Sequence, residues 1–183
     1  MLLHQYGAAA FFIKALDNRP ISDYNTKARF RTKRSWSMDK TYKNLLRLNS
    51  IVKETNKIYS NAAKKFGLSD SVFWILYALR EKDEAVTQSE ICYAMCQPKQ
   101  TVNTALKKME TNGLITFENS SDRRSKLVRL TESGIRLAEK TADKVIAAER
   151  DTISQFTAEE QEAYIKLMKK YSDLMKESVE KIP

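Results

Sequence analysis

Residues able to do covalent or metal chemistry are scarce in this 183-residue chain, which has one His (His4) and two Cys (Cys92 and Cys96). With the one His in the N-terminal arm, no Ser-His-acid set or tetrahedral zinc site can be composed convincingly. Four glycines form no phosphate-cradling loop. The sequence reads as a non-enzyme with no metal and no cofactor. What it does carry is recognition chemistry. Between 97 and 129, seven Lys/Arg stand against three acids, a net +4: Lys99, Lys107, Lys108, Arg123, Arg124, Lys126 and Arg129. Interleaved with these cations are Gln100, Thr101, Asn103 and Thr104. Cations neutralise phosphates, and amides and hydroxyls read base edges. Residues 1–37 hold seven more Lys/Arg against two Asp, a net +5, so the total of +9 leaves the rest of the chain neutral. Charge placed so unevenly is the electrostatic footprint of a phosphate-binding surface.

Positioning such side chains takes a short helix and a hairpin, and the pattern supplies both. Thr87-Gln88-Ser89-Glu90 is a capping box that opens a short helix to about Met95. Pro98 fits the first turn of the next helix, which Gly113 ends. On that helix Val102, Ala105, Leu106 and Met109 share one face, and Gln100, Asn103, Thr104 and Lys107 share the opposite one. The spans 114–118 and 126–130 read as strands around a cation-rich turn, with a minimal strand at Ala85-Val86. Upstream, Leu45, Leu48, Val52, Thr55, Tyr59, Ala62 and Phe66 form a narrow helical seam. Ser69 caps a more apolar helix, 70–80, with Phe73, Trp74, Leu76 and Tyr77. Downstream, Thr131 caps one long helix through Ile135, Ala138, Ala142, Val145, Ile146 and Ile153. Thr157-Ala158-Glu159-Glu160 opens a last helix with Tyr164, Leu167, Met168, Tyr171, Leu174, Met175 and Ile182. These long helices carry more apolar surface than a unit of about 70–130 can cover, so they are expected to meet across a two-fold axis.

With 42% apolar residues the chain can build a core, and with few Gly and Pro it should be mainly helical. No stretch is long and apolar enough for a membrane span, no cation precedes the apolar run 7–13 as a secretory leader requires, and two cysteines fit a reducing cytoplasm. The predicted fold class is mainly α with a small β wing: a winged helix-turn-helix domain flanked by long N- and C-terminal dimerisation helices. The divisions are 1–37, a basic arm, mobile or extraneous; 38–68, the N-terminal dimerisation helix; 69–130, the DNA-binding unit; and 131–183, the C-terminal dimerisation helices.

Asp122, Arg124, Val128, Leu130, Thr131 and Gly134 fit, in register, the wing pattern D-x-R-x-x-x-V-x-L-T-x-x-G, and 109–115 resembles the helix end that precedes it. In these residues and in element order the chain resembles the MarR family of bacterial transcriptional regulators. The likeness covers about 39–182 in layout and is specific across 97–134. One departure is Gln97-Pro98-Lys99, where the family often has a Ser or Thr cap. The resemblance implies a homodimer on a pseudo-palindromic operator in double-stranded DNA, acting as a repressor released by a small lipophilic or phenolic effector. It also implies that Arg124 sits at the wing tip and reaches the minor groove, held by Asp122. A narrow minor groove does attract Arg.

On this reading Gln100, Asn103 and Thr104 read bases, Lys99 and Lys107 meet phosphates beside Thr101, and Arg123 and Lys126 add phosphate contacts. Thr87 and Gln88 offer contacts at a helix N-terminus. Tyr59, Phe73, Trp74 and Tyr77 are candidates for the effector pocket, though such stripes are more often core. Cys92 and Cys96, four residues apart, suggest a redox switch or, more simply, small core residues. Competing readings are a redox-controlled or constitutive DNA-binding regulator, and a winged-helix module that binds protein.

Overall fold

The computed structural model describes residues 39–82, 85–119 and 126–183. The Asp39 carboxylate accepts from the Tyr42 N–H at 2.7 Å and caps α1, Lys40–Lys65. Only Ala63 of α1 is fully buried; Leu48, Val52, Tyr59 and Phe66 are half-buried, and Leu45, Ile51 and Ile58 are exposed. Helix α2, Asp70–Lys82, buries Phe73, Ile75, Leu76, Tyr77, Ala78 and Leu79, far more than one amphipathic face. It can do so because it packs against five other helices, α1 and four that follow it.

The winged-helix unit hangs from α2. Strand β1, Val86–Thr87, leads directly into α3, Gln88–Met95, and α4 follows at Lys99–Thr111. Strands β2, Ile115–Asn119, and β3, Lys126–Leu130, pair antiparallel from Ile115 opposite Leu130 to Asn119 opposite Lys126. Strand β1 joins the other edge of β3, with Val86 opposite Val128, giving the order β1-β3-β2. Val102, Leu106 and Met109 of α4 close over Ile91, Ile115 and Val128 in one core.

Two glycines have backbone reasons to be there. Gly113 has φ +66°, beyond the last turn of α4. Its N–H donates to the Glu110 carbonyl at 2.9 Å, and the Leu114 N–H donates to Met109 at 2.9 Å, a Schellman ending. Gly134 lies against the same ending, where a Cβ would come within 2.0 Å of the Leu114 carbonyl oxygen. Thr131 knots the two: its N–H donates to Leu114 at 3.0 Å, its hydroxyl donates to Gly113 at 2.6 Å, and its Oγ1 accepts from the Gly134 N–H at 3.1 Å.

The long helix expected from Thr131 is two helices, α5 (Glu132–Lys140) and α6 (Ala142–Ile153). The break is at Thr141, at φ −132° and ψ −84°. Its hydroxyl donates to the Leu137 carbonyl at 2.7 Å and its N–H to Ala138 at 3.0 Å, so the backbone ladder is interrupted locally. Fully buried Ala138 and Ala142 flank it. A half-buried bidentate pair, Arg80 to Asp143, joins α2 to α6 at 2.8 Å. Helix α7, Ala158–Glu180, opens with the expected capping box and buries no residue. Smaller differences are at the ends: β1 is one residue later than expected, α2 runs on to Lys82, and Pro98 is the N-cap of α4.

The capping box of α3 also forms as expected, with Glu90 Oε2 accepting from the Thr87 N–H at 2.8 Å and the Glu90 N–H donating to Thr87 Oγ1 at 3.2 Å. Lys82 donates to Glu90 Oε1 at 2.7 Å, and that bond with those from Thr87 holds the Glu90 carboxyl at about 2.

Two outcomes follow. Gly134→Ala should lower unfolding stability by about 2–3 kcal/mol in urea titrations, because a backbone carbonyl cannot give way as a side chain can. A depressed carboxyl adds stability above its unfolded value, and loses it as pH falls through the folded one. Glu90→Gln should therefore flatten the loss of thermal stability between about pH 4.3, the ordinary Glu value, and about pH 2.

Candidate nucleic-acid interface

Helix α4 splits cleanly into a packed side and an open side. Val102, Leu106 and Met109 are buried and Ala105 packs against the core. Lys99, Gln100, Thr101, Thr104 and Lys107 are exposed, and Asn103 is half-buried at the margin. The Thr104 hydroxyl donates to the Gln100 carbonyl at 3.0 Å, which spends its proton and leaves its oxygen as an acceptor. Proline at the N-cap makes no side-chain cap; its carbonyl accepts from the Thr101 N–H at 3.0 Å and the Val102 N–H at 3.2 Å. The turn before it is tight: Cys96, the C-cap of α3, is left-handed at φ 45°, and Gln97 is buried with its Oε1 unpartnered.

The other predicted contact residues are placed as follows. Thr87 is half-buried and its hydroxyl serves the capping box. Gln88 is half-buried, and its amide nitrogen is buried without a hydrogen-bond partner. Lys126 is exposed at the start of β3, with Nζ 5.6 Å from the centre of the Phe117 ring. Asp122, Arg123 and Arg124 lie outside the described residues. One pair was not legible in advance: Arg129 donates to Glu118 at 2.8 Å across the hairpin, two residues off the direct register. Only the strand pairing could have revealed it.

The four aromatics gather at one place, where α1, α2 and α6 meet. Trp74 lies 5.1 Å from Tyr59, 5.3 Å from Phe73 and 5.4 Å from Tyr77, ring centre to ring centre. Phe73 and Tyr77 are buried, and Tyr59 and Trp74 are half-buried. The Tyr59 and Tyr77 hydroxyls donate to the two carboxylate oxygens of Glu149 on α6. Burial first, and then that carboxylate, pushes both phenols far above their ordinary range, so they remain neutral donors. Glu149 escaped the sequence reading because a seam of apolar positions gives no reason to single out one carboxylate.

Cys92 is half-buried and Cys96 exposed. Burial raises both thiols, offset in part by Lys99 at Cys92, which disfavours the reactive thiolate. Among the described residues no cluster of three His, Cys, Asp or Glu could hold a metal, and no helix is long and apolar enough to cross a membrane.

Residues 66–125 match the model of the MarR family. Over 124 residues the chain is 28% identical to YwoH, an uncharacterised HTH-type transcriptional regulator of Bacillus subtilis (strain 168), covering 68% of this chain and 90% of that protein. NMB1585, a MarR family regulator from Neisseria meningitidis, superposes with a TM-score of 0.66 at 22% identity, over 76% of this chain and 99% of that one. MepR of S. aureus, solved as a DNA complex, gives 0.57 at 26% identity over 76% and 99%. The family match over residues 66–125 and the sequence relative support a MarR family transcriptional regulator, and the winged-helix fold is that of the solved MarR structures.

Proposed function

We propose that this protein binds a pseudo-palindromic operator in duplex DNA as a homodimer, and that a small effector releases it. The observation that carries the reading is the division of α4, with its apolar side locked into the core and its other side an open row of cations, hydroxyls and an amide. Gln100, Asn103 and Thr104 take the base-reading role, and Lys99, Thr101 and Lys107 take phosphates. Arg124, with Asp122, Arg123 and Lys126, supplies the wing, while Thr87 and Gln88 lie at the start of α3. Fold likeness to MepR, which was solved with DNA, supports the assignment. Protein interfaces deplete Lys, which disfavours the protein-binding alternative.

In this reading the unit at 69–130 reads DNA, and 38–68 and 131–183 form the dimer in the cytoplasm. Support comes from apolar side chains left open on α7, where Leu167, Leu174 and Met175 are each at least half-exposed. Dimer helices set the separation of two α4 helices near one DNA turn, about 34 Å. An effector that binds better to a dimer of different spacing lowers operator affinity by that difference.

Duplexes selected from a random pool should carry two half-sites about 10 base pairs apart. Against such a site, Arg124→Ala should cost about 1–3 kcal/mol, and Lys107→Ala should reduce the salt slope by about 1 while sparing sequence preference. Absence of enrichment even in low salt would overturn the DNA-binding reading. The double substitution Leu167→Glu and Leu174→Glu should leave a folded monomer in sedimentation velocity; a persistent dimer would place the two-fold contact elsewhere.

A further inference from the structure

We propose that the cationic face of α1 is a second binding surface for the phosphates of duplex DNA, separate from α4 and indifferent to sequence. Helix α1 carries seven Lys or Arg and one acid, Glu54, among its 26 residues. The segment before it, 1–37, is itself net +5, so it brings no balancing charge. The zero sum of the chain outside 1–37 and 97–129 therefore hides a separation, with positive charge gathered on one helix and the acids on others.

At about 100° per residue these cations fall within roughly 140° of the helix circumference, opposite the seam of Leu48, Val52 and Tyr59. Their exposure follows that division. Lys40, Lys43, Arg47, Lys53, Lys57 and Lys64 are exposed, whereas Leu48, Val52 and Tyr59 are half-buried. From Lys40 to Lys64 the row runs about 36 Å at about 1.5 Å per residue. One turn of duplex DNA is about 34 Å.

Helix formation does not account for the row. Cations at the start of a helix oppose its dipole, yet α1 has Lys40 and Lys43 there and no acid in its first turn. Helix α7 shows the opposite arrangement. Glu159 and Glu160 occupy its first turn, and Lys169 and Lys176 pair with Asp173 and Glu180 one turn on. With Glu54 as its one acid, α1 cannot neutralise its row in this way. Phosphates can, and each one met releases counterions from the duplex.

Duplex DNA fits this face better than other polyanions do. Single strands are held by stacking on aromatic rings, and the cationic arc of α1 carries none. A helix lying on a membrane buries its apolar side in lipid. On α1 that side is engaged within the protein, where Ala63 is buried and Tyr59 packs against the same core.

The test uses the full chain and a labelled duplex of scrambled sequence, with affinity followed against salt. Lys53→Gln, Lys57→Gln and Lys64→Gln together should weaken binding about tenfold or more at about 0.1 M salt. They should flatten the log–log slope by roughly 2–3, since each lost phosphate contact removes about 0.9. Lys40→Gln, Lys43→Gln and Arg47→Gln together should flatten it similarly without lowering the melting temperature, because the helix dipole is relieved. This second variant also serves if the first does not fold. Lys166→Gln, Lys170→Gln and Lys181→Gln remove the same charge from the exposed side of α7 and its end, and should leave the slope nearly unchanged. An unchanged slope in a folded α1 variant, or an equal loss in the α7 control, overturns the proposal. So does an effect confined to phosphatidylserine vesicles or to single-stranded RNA while the duplex slope stays intact. The probe carries no operator, so a slope loss on it supports this surface even where no operator is enriched, and the two readings fail separately.

Discussion

The Thr131 hydroxyl donates to the Gly113 carbonyl at the end of α4, and its oxygen accepts from the Gly134 N–H at the start of α5. Its own N–H takes the Leu114 carbonyl, the same atom against which Gly134 is pressed. Four segments are thereby fixed to one another: the end of α4, the start of β2, the end of β3 and the first turn of α5. Each hydrogen bond contributes only about 1 kcal/mol net, but the close backbone approach removes the alternatives. If this joint slackened, α4 would keep its apolar face yet lose its angle to the hairpin.

A second constraint acts at the other end of the unit. Helix α2 is buried nearly all round because it packs against the winged-helix unit on one side and the flanking helices on the other. Arg80–Asp143 and the two tyrosine bonds to Glu149 cross from it, or past it, to α6. The break at Thr141 lets α6 take its own direction after α5 has finished packing under the wing. The winged-helix unit is therefore joined to its long helices by apolar packing around α2 and by these polar links.

What was legible in the sequence had a strong local cause. The capping boxes at Thr87 and Thr157, the glycine after α4 and the apolar face of α4 all act within a few residues, and each stands where it was read. The break at Thr141 was hidden because threonine also occurs inside continuous helices; whether its hydroxyl back-bonds enough to interrupt one depends on packing against α2. Glu118–Arg129 and the Glu149 bonds were hidden for a related reason, since they join residues brought together only by pairing and packing. The wing residues of the family pattern divide in the same way. Thr131 and Gly134 have a mechanical reason in the joint described above, whereas Asp122 and Arg124 lie outside the described residues.

The clean division of α4 has an evolutionary consequence. Among the described residues, the side chains of Lys99, Gln100, Thr101, Thr104 and Lys107 make no hydrogen bond or ion pair to another element, and the helix is anchored by Val102, Leu106, Met109 and the joint at its end. Substitutions on an exposed helix face away from caps and packing change stability by only about ±0.5 kcal/mol. Duplicated copies of such a gene can thus diverge on this face without first acquiring compensating changes in the core. The scaffold and its exposed helix face are free to evolve at different rates.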